Sequence, residues 1–250
     1  MSKVAVILFP GCNCEEETKR ACEKAGLGAD IVRWNDISAL KKYDGYILPG
    51  GWSYEDRIRA GAVASHDAVM DVVKEAAGKG KPVLGICNGC QVLVESGLIP
   101  GDGEVSMGMA PNVNPIVSGY YCSWVNVKKS SNKKTAFSSG VEMVMPIPIA
   151  HGEGRFVTKD AKLIAELEAN NQILFKYCDG DGNLSEEFPT NPNGAVNNIA
   201  GICNKEGNVL AMMPHPERCS WMRQVPGQHS SGEDDGPGLA IFKSMKEFLG

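Results

Sequence analysis

The chain has 250 residues, of which 43% are hydrophobic and 22% are charged, and these proportions are ordinary for a globular protein. A formal net charge of −5 argues against a nucleic-acid-binding protein, because neutralising phosphates requires clustered lysine and arginine. Nine cysteines at irregular spacing do not suggest a disulfide framework, and no apolar stretch is long enough to cross a membrane. We therefore expect a cytoplasmic protein whose partners include neither a nucleic acid nor a membrane.

The first hundred residues alternate between apolar runs that are typical of strands and patterns that are typical of helices. In chain order, the pattern predicts a strand at 4–9, a helix at 15–25, strands at 31–34 and 46–48, a helix at 66–78, a strand at 83–86 and a helix that includes 91–95. Strands that alternate with helices need crossover connections, which indicates an α/β fold with an open, mostly parallel sheet flanked by helices. Such a sheet binds its ligands at the carboxyl ends of its strands.

The pattern changes after residue 118. Residues 118–156 contain short β-like runs, so we expect part of the sheet, or a side layer, to be antiparallel. Further along, the sequence predicts a polar loop at 179–193, a hairpin of strands at 199–203 and 209–213, and a helix at 239–249. Residues 224–237 contain few apolar residues and are predicted to form a long mobile loop. Neither a repeat nor a domain boundary is evident, so residues 1–250 are expected to form a single domain.

The segment GICNGCQVL at residues 85–93 supports two incompatible interpretations. Cys87 and Cys90 form a C-x-x-C motif, which suggests a redox pair or half of a zinc site. Gly85, Cys87 and Gly89 form a G-x-C-x-G motif between a predicted strand and a predicted helix, which suggests a nucleophile on a tight turn. Glycines on both sides of such a turn let the neighbouring strands and the helix pack closely, and the helix N-terminus favours a negative charge.

The nucleophile interpretation explains more of this segment than the alternatives do. A redox pair does not require the two glycines. A zinc site needs a second pair of ligands at suitable spacing, which we do not find among the other cysteines and the four histidines. We therefore predict that Cys87 is the nucleophile, that Cys90 is a buried structural residue, and that the chain binds no metal.

The segment MMPHPER supplies a base for this nucleophile. A predicted strand leads into it, and Pro214 and Pro216 keep the chain extended around His215. Residues two apart in an extended segment point to the same side, so His215 and Glu217 share a face. In this arrangement Glu217 fixes the imidazole ring while His215 takes the thiol proton, so we predict a triad of Cys87, His215 and Glu217.

A glycine turn supplies the third part of the predicted site. The strand at 46–48 leads into Pro49, Gly50 and Gly51. Backbone amides in such a turn can point at a developing oxyanion, and the amide of Asn88 can supply a second donor. A Gly-Gly turn alone is equally consistent with a tight turn that has no catalytic role. The order of turn, cysteine, histidine and glutamate along the chain favours the catalytic interpretation.

Together these motifs resemble those of the triad, or class I, glutamine amidotransferases, whose fold is flavodoxin-like. Five blocks occur in order along nearly the whole chain: PGCNCEEETKRACEKAG, LPGGWSYEDRIRAGA, GICNGCQVLVESGLIPG, IAHGEGRF, and NPNGAVNNIAGICN followed by GNVLAMMPHPER. This series resembles the glutaminase subunits of phosphoribosylformylglycinamidine synthase, of de novo purine biosynthesis. The cysteine motif alone indicates only the superfamily, whereas the other blocks point to this member.

The resemblance implies the same triad and assigns further residues to the site. The oxyanion amides correspond to Gly51 and Asn88, with Gly50 beside them. Gln91, one helical turn beyond Cys87, matches the glutamine that contacts the amino-acid end of the substrate. The charged and polar residues of the HGEGRF motif are expected to line the glutamine pocket or to face the partner, and they are His151, Glu153 and Arg155.

The resemblance also implies a reaction that needs a second polypeptide. This chain would hydrolyse L-glutamine to glutamate and ammonia and pass the ammonia to a synthetase (large) subunit, in a complex with a small accessory subunit. The synthetase would convert formylglycinamide ribonucleotide to formylglycinamidine ribonucleotide with ATP. Because the sequence has no Walker loop and no Rossmann fingerprint, we expect no cofactor in this chain, and we expect ATP and magnesium on the partner.

Three other interpretations stay open at the level of the sequence. The nearest is the glutaminase of another biosynthetic amidotransferase. The second is a cysteine peptidase or stress-response protein of similar fold. Such a protein has a cysteine on the same strand-to-helix turn but does not need Gln91 or the His-Pro-Glu segment. The third is an interaction module with a vestigial site, which the complete set of chemical groups disfavours.

Overall fold

The structure is a computed structural model that describes residues 1–101, 103–228 and 232–250. Within these ranges the strands, numbered in chain order, are β1 Lys3–Leu8, β2 Gly28–Arg33, β3 Gly45–Leu48, β4 Val83–Ile86, β5 Gly108–Ala110, β6 Tyr121–Lys129, β7 Val144–His151, β8 Arg155–Val157, β9 Ile173–Cys178, β10 Ile199–Cys203 and β11 Val209–Met212. The helices are α1 Glu15–Lys24, α2 Ile37–Leu40, α3 Ala68–Gly78, α4 Asn88–Glu95, α5 Ala161–Ala169 and α6 Leu239–Leu249. None of these helices, all within the described ranges, has the length and apolar character needed to cross a membrane.

Nine of these strands form one sheet, and a parallel block makes up one half of it. The order across the sheet is β2-β1-β3-β4-β11-β10-β9-β6-β7, and every pair from β2 to β11 is parallel. The pairs from β11 to β7 are antiparallel, and β5 pairs with β8 in a separate small sheet. The parallel block has the strand order of flavodoxin-like folds, so the predicted fold class is confirmed.

The elements predicted in the first hundred residues are confirmed, with shifts at their ends. The largest shift among the strands is at β2, which begins at Gly28 rather than at residue 31. Its first residues, Gly28, Ala29 and Asp30, have low strand propensity. They form a strand because they pair in parallel register with β1, beginning with Lys3 opposite Gly28.

The second half of the chain confirms the predicted change to antiparallel pairing. β6 and β7 extend the main sheet, while β8 belongs to the small sheet, so both predicted arrangements occur. The predicted hairpin is confirmed as β10 and β11, and the C-terminal helix as α6. Helices α2 and α5 and strands β5 and β9 were not among the predicted elements. β9 is buried along its whole length between β10 and β6, and its apolar run ILFKYC is the signal that identifies it.

The loop predicted to be mobile, at 224–237, contains residues 229–231, which lie outside the described residues. After these residues the loop is bound to the rest of the protein. Trp221 Nε1 donates a hydrogen bond to Glu233 at 2.8 Å, and Lys24 Nζ in α1 lies 3.4 Å from Asp235. The end of the loop that precedes α6 is therefore anchored, and the mobility of the loop stays a prediction.

Two glycines set the distance between β3, β4 and α4. A Cβ on Gly89 would lie 1.9 Å from the carbonyl oxygen of Leu48, and a Cβ on Gly85 would lie 2.5 Å from the carbonyl oxygen of Gly89. Both distances are far inside van der Waals contact, so a side chain at either position would push α4 away from the sheet. The close packing that the G-x-C-x-G motif predicts is therefore present.

Gly89→Ala is expected to lower the free energy of unfolding by at least about 1–3 kcal/mol, because its methyl group overlaps the Leu48 carbonyl. Gly78→Ala, at the end of α3, is the matched control. A Cβ at Gly78 meets no atom within 4 Å, so this change should be neutral or stabilise the fold by up to about 1 kcal/mol. Urea denaturation followed by circular dichroism measures both variants, and equal stabilities would contradict the packing argument.

Candidate active site

A cavity of about 250 Å³ lies at the carboxyl edge of the parallel block. Its walls come from the loops that follow β1, β3, β4 and β11, together with the loop that follows β7. Parallel strands end at the same edge of a sheet, so loops that are distant in the sequence meet there. The cavity therefore lies where the sequence predicts a ligand site, and its volume suits a small polar molecule.

Cys87 occupies the turn between β4 and α4 in a left-handed backbone conformation, with φ of 50° and ψ of −104°. Positive φ is unfavourable for residues with side chains, and residues held in this way cluster at active sites. The side chain lines the cavity, and its Sγ atom lies 3.6 Å from the carbonyl oxygen of Ala150. Because α4 begins at the next residue, the positive end of its dipole is next to the thiol.

His215 follows β11, lines the same cavity and is oriented by Glu217. The Nδ1 atom of His215 lies 2.6 Å from Oε1 of Glu217, and both side chains are almost fully buried. Within the described residues Nε2 has no hydrogen-bond partner, so it is available for proton transfer. Burial lowers the pKa of His215, but the negative charges of Glu217 and Cys87 outweigh it and raise the pKa well above its usual value. This is the geometry of a general base with an orienting carboxylate.

Gly50 allows the nucleophile and the base to approach each other. A Cβ on Gly50 would lie 2.8 Å from Cε1 of His215, 3.1 Å from Sγ of Cys14 and 3.5 Å from Cβ of Cys87. A side chain at this position would therefore displace the imidazole ring of His215 or the Cys14 thiol. Gly50 thus has a spatial role in the structure in addition to its predicted place in the oxyanion turn.

Gly51 lines the cavity and faces Cys12 in an isolated antiparallel bridge. The hydrogen bonds of this bridge come from the flanking residues, since the amides of Trp52 and Asn13 donate across it at 2.8 and 3.3 Å. Two residues that face each other between such bonds keep their own amides unbonded. Within the described ranges, neither Gly51 nor Asn88 donates its amide to a backbone carbonyl. Both amides are therefore available, as the predicted oxyanion hole requires.

The side chains of Asn88 and Gln91 connect helix α4 to two loops at the cavity, the loop after β3 and the loop after β7. Asn88 Oδ1 accepts a hydrogen bond from the Ser53 amide, and its Nδ2 donates to Gln91 Oε1 at 2.9 Å and to Asp56 Oδ1 at 3.2 Å. Gln91 Nε2 donates in turn to the backbone carbonyl of Glu153 at 2.7 Å. Gln91 lines the cavity, but both ends of its amide are already bound to the protein. Its direct contact with a substrate stays a prediction.

Of the three predicted residues of the HGEGRF motif, two line the cavity and one does not. His151 and Glu153 both line the cavity. Burial, followed by the positive charge of His215, lowers the pKa of His151 to about 3, so its ring is neutral. Arg155 is not among the residues that line the cavity, and its guanidinium donates to a backbone carbonyl at 3.0 Å. The structure thus does not bring Arg155 into the pocket, and the alternative that it faces a partner stays a prediction.

Cys90, the second cysteine of the C-x-x-C motif, lies in α4 and is fully buried. Burial, followed by the negative charge of Cys87, raises the pKa of Cys90 well above its usual value. A thiol that stays protonated in an apolar environment is unreactive, so these features favour the structural role over a redox role.

Ligand atoms of Cys14, His215 and Glu217 lie within 4.8 Å of one another, which is close enough for a metal ion to bind between them. Two ligands of one zinc ion, each about 2.1 Å from it in a tetrahedron, are about 3.4 Å apart. The facing atoms of His215 and Glu217 are only 2.6 Å apart, which is a hydrogen-bond distance. This geometry favours proton transfer over metal binding at these residues.

Several residues of the cavity have no role that the sequence predicts. They come from loops at the carboxyl edge and from the loop before β6, and they are Asn13, Cys14, Trp52, Asp56, Tyr120 and Arg218. Arg218 Nη2 lies 3.1 Å from Sγ of Cys14, and its Nε lies 3.0 Å from Glu17. The half-exposed rings of Trp52 and Tyr120 pack against each other, with centroids 5.7 Å apart. Position just after a parallel strand is the signal that could have identified most of these residues.

The fold and the site define a class of protein. A flavodoxin-like parallel block with a strained cysteine after one strand and a His-Glu pair after its neighbour is the arrangement predicted for a triad glutamine amidotransferase. The model of the CobB/CobQ-like glutamine amidotransferase domain matches residues 1–249, and the chain belongs to this family.

Comparison with individual relatives indicates a particular group within this family. The chain is 46% identical to phosphoribosylformylglycinamidine synthase subunit PurQ of Methanothrix thermoacetophila, over 99% of this chain and 98% of the relative. It is 42% identical to subunit PurQ of Pyrococcus furiosus, over 100% of this chain and 99% of the relative. A chain in the solved structure of PurLQS from Thermotoga maritima matches with a TM-score of 0.77 and 31% identity, over 100% of this chain and 99% of that chain. The resemblance predicted from the sequence is confirmed.

Glu217→Gln is expected to slow the alkylation of Cys87 by iodoacetamide about tenfold or more, because a neutral side chain no longer stabilises the cationic imidazole beside the thiolate. Peptide mass spectrometry measures the modification of each cysteine with time. Exposed Glu186→Gln is the matched control and should leave the rate unchanged. Cys22 and Cys90, both fully buried, should stay unmodified while the fold is intact. An unchanged rate of Cys87 alkylation in Glu217→Gln would contradict the idea that Glu217 stabilises the thiolate through the imidazole.

Proposed function

We propose that the chain is the glutaminase subunit of phosphoribosylformylglycinamidine synthase and hydrolyses L-glutamine to glutamate and ammonia. The observation that carries this proposal is the convergence of strained Cys87 and the His215–Glu217 pair on one cavity. Similarity to PurQ subunits over the full length supports this member of the family over other glutaminases. The match of the family model to residues 1–249 supports one amidotransferase domain for the whole chain.

The geometry supports a first half-reaction in which Cys87 is acylated. His215 takes the thiol proton, and the thiolate attacks the carbon of the substrate's side-chain amide. The oxygen of that amide becomes an oxyanion, and the amides of Gly51 and Asn88 are the donors available to it. His215 then gives its proton to the leaving nitrogen, ammonia departs, and a γ-glutamyl thioester remains on Cys87. Glu217 holds the ring at Nδ1 throughout and stabilises the imidazolium.

The second half-reaction restores the free thiol. A water molecule takes the place that ammonia has left, and His215 removes one of its protons as it attacks the thioester carbon. The same two amides stabilise the second oxyanion, and its collapse breaks the bond to sulfur. Glutamate leaves, and the proton held by His215 returns to Cys87. In both half-reactions the proton is carried by Nε2 of His215. The imidazole ring must therefore keep one orientation.

We further propose that the ammonia is used by a synthetase (large) subunit, in a complex with a small accessory subunit. The relatives are named as subunits and the solved relative as PurLQS, which supports assembly with other chains. In this proposal the ATP and magnesium needed to amidate formylglycinamide ribonucleotide are bound by the partner, and this chain carries no cofactor. We place the complex in the cytoplasm, in keeping with nine cysteines at irregular spacing.

Cys87→Ser in the complex reconstituted with its partner subunits tests the proposal directly. Glutamine-dependent formation of formylglycinamidine ribonucleotide should fall at least about 1,000-fold, because the nucleophile is lost. Synthesis from added ammonium salt should change little, because Cys87 makes ammonia and does not use it. Cys122→Ser, which removes an exposed thiol, is the matched control. Equal loss of both activities would show that Cys87 holds the complex together, and full glutamine-dependent activity would refute the mechanism.

A further inference from the structure

Arg218 connects the segment that carries the base to the chain that follows β1. It comes directly after Glu217, and its partly exposed side chain lines the cavity. Its Nε atom donates to Glu17 in α1 at 3.0 Å, and its Nη2 atom donates to Sγ of Cys14 at 3.1 Å. The Cys14 thiol donates in turn to Oδ1 of Asn13 at 3.1 Å. Two nitrogens of the guanidinium are therefore bound to α1 and to the loop that precedes it.

This loop, residues 9–14, packs against the glycine turn after β3. The amide of Cys14 donates to the carbonyl of Gly50 at 3.3 Å. A Cβ on Gly51 would lie only 2.6 Å from Cα of Cys12, so the two backbones are in close contact there. A shift of the loop after β1 would therefore shift the turn that carries one of the predicted oxyanion donors.

The segment that follows the glycine turn is strained and also depends on this loop. Tyr54, Glu55 and Asp56 have positive φ, between 51° and 59°. Such conformations are unfavourable for residues with side chains, and they persist where the surrounding structure imposes them. One restraint is the carbonyl of Pro10, which accepts a hydrogen bond from the Tyr54 amide at 2.7 Å, and another is Asp67, which accepts from the Tyr54 hydroxyl at 2.6 Å. The geometry of the turn is thus imposed by its neighbours, and its accuracy depends on how firmly they are held.

We propose that Arg218 is a positioning residue that holds the oxyanion turn at a fixed distance from the base. The inference rests on the proposed glutaminase function. On one side Arg218 belongs to the segment of the base, because its backbone amide donates to the carbonyl of His215 at 3.2 Å. On the other side it binds Cys14, whose Sγ atom would lie 3.1 Å from a Cβ on Gly50. One side chain thus connects the group that moves the proton to the turn that stabilises the oxyanion.

Arginine suits this role because its guanidinium is planar and directs several N–H donors in fixed directions. Arg218 uses this property, since Nε and Nη2 reach Glu17 and Cys14 at the same time. Its charge is a separate contribution, because Nε lies 4.0 Å from Oε1 of Glu217. A lysine at this position would keep the charge and lose the double contact, so the two contributions can be measured apart.

The test compares Arg218→Gln with the parent chain in the reconstituted complex. For glutamine hydrolysis kcat should fall about 10- to 100-fold while KM changes by less than about threefold, because a displaced oxyanion donor weakens the transition state and not the bound substrate. Alkylation of Cys87 by iodoacetamide displaces iodide and forms no oxyanion, so its rate should change by less than about threefold. Damage to the nucleophile or the base would instead slow both reactions.

Three further variants make the result decisive. Cys14→Ala removes the contact from its other end and should lower kcat in the same way, which tests the proposal even where Arg218→Gln does not fold. Arg218→Lys should recover little of the lost kcat. Arg223→Gln is the matched control, because Arg223 also pairs with a carboxylate but does not line the cavity, and it should leave kcat unchanged.

Three results would overturn the assignment of Arg218. They are an unchanged kcat in Arg218→Gln or Cys14→Ala, an equal slowing of hydrolysis and alkylation, and full recovery of kcat in Arg218→Lys. Failure of the parent complex to hydrolyse glutamine would instead refute the proposed function itself, and this inference with it.

Discussion

The approach of α4 to the sheet at Gly89 is the constraint on which the rest of the site depends. Because the helix begins so close to β3, the chain must turn sharply at Cys87 and adopts positive φ there. The same short helix provides the unbonded amide of Asn88 and the side chain of Gln91, which binds the loop after β7. One backbone contact thus positions the nucleophile, one predicted oxyanion donor and one wall of the cavity, so these parts cannot vary independently.

The base is held by both halves of the sheet. His215 follows β11, the last strand of the parallel block, and its backbone amide donates to the carbonyl of Pro148 in β7 at 2.9 Å. β7 lies at the far edge of the antiparallel half, and its end supplies Ala150 and His151 to the cavity. The antiparallel half is therefore more than an extension of the flavodoxin-like block, because it closes the side of the cavity that the parallel strands leave open.

Local signals account for the part of the site that could be predicted from the sequence. Glycines around Cys87 and prolines around His215 determine the backbone over a few residues, so their geometry follows from residue type. Asp56 and Cys14 carry no such signal, because their roles arise only where loops from different strands meet. The left-handed conformation of Asp56 is imposed by neighbouring loops. Likewise the first residues of β2 form a strand only because they pair with β1, whereas β9 carries a local signal in its run ILFKYC.

The position of β11 has a consequence for the protein during its synthesis. A ribosome completes β4 and the turn that carries Cys87 well before it makes β11. Strand β11 must then insert between β4 and β10. Until this insertion β4 is paired only with β3 and keeps one edge free, and the Cys87 thiol has no imidazole beside it. A free strand edge can pair with another chain, so a chain that ends before β11 exposes an edge of this kind. The predicted nucleophile and base come together only when β11 takes its place in the sheet.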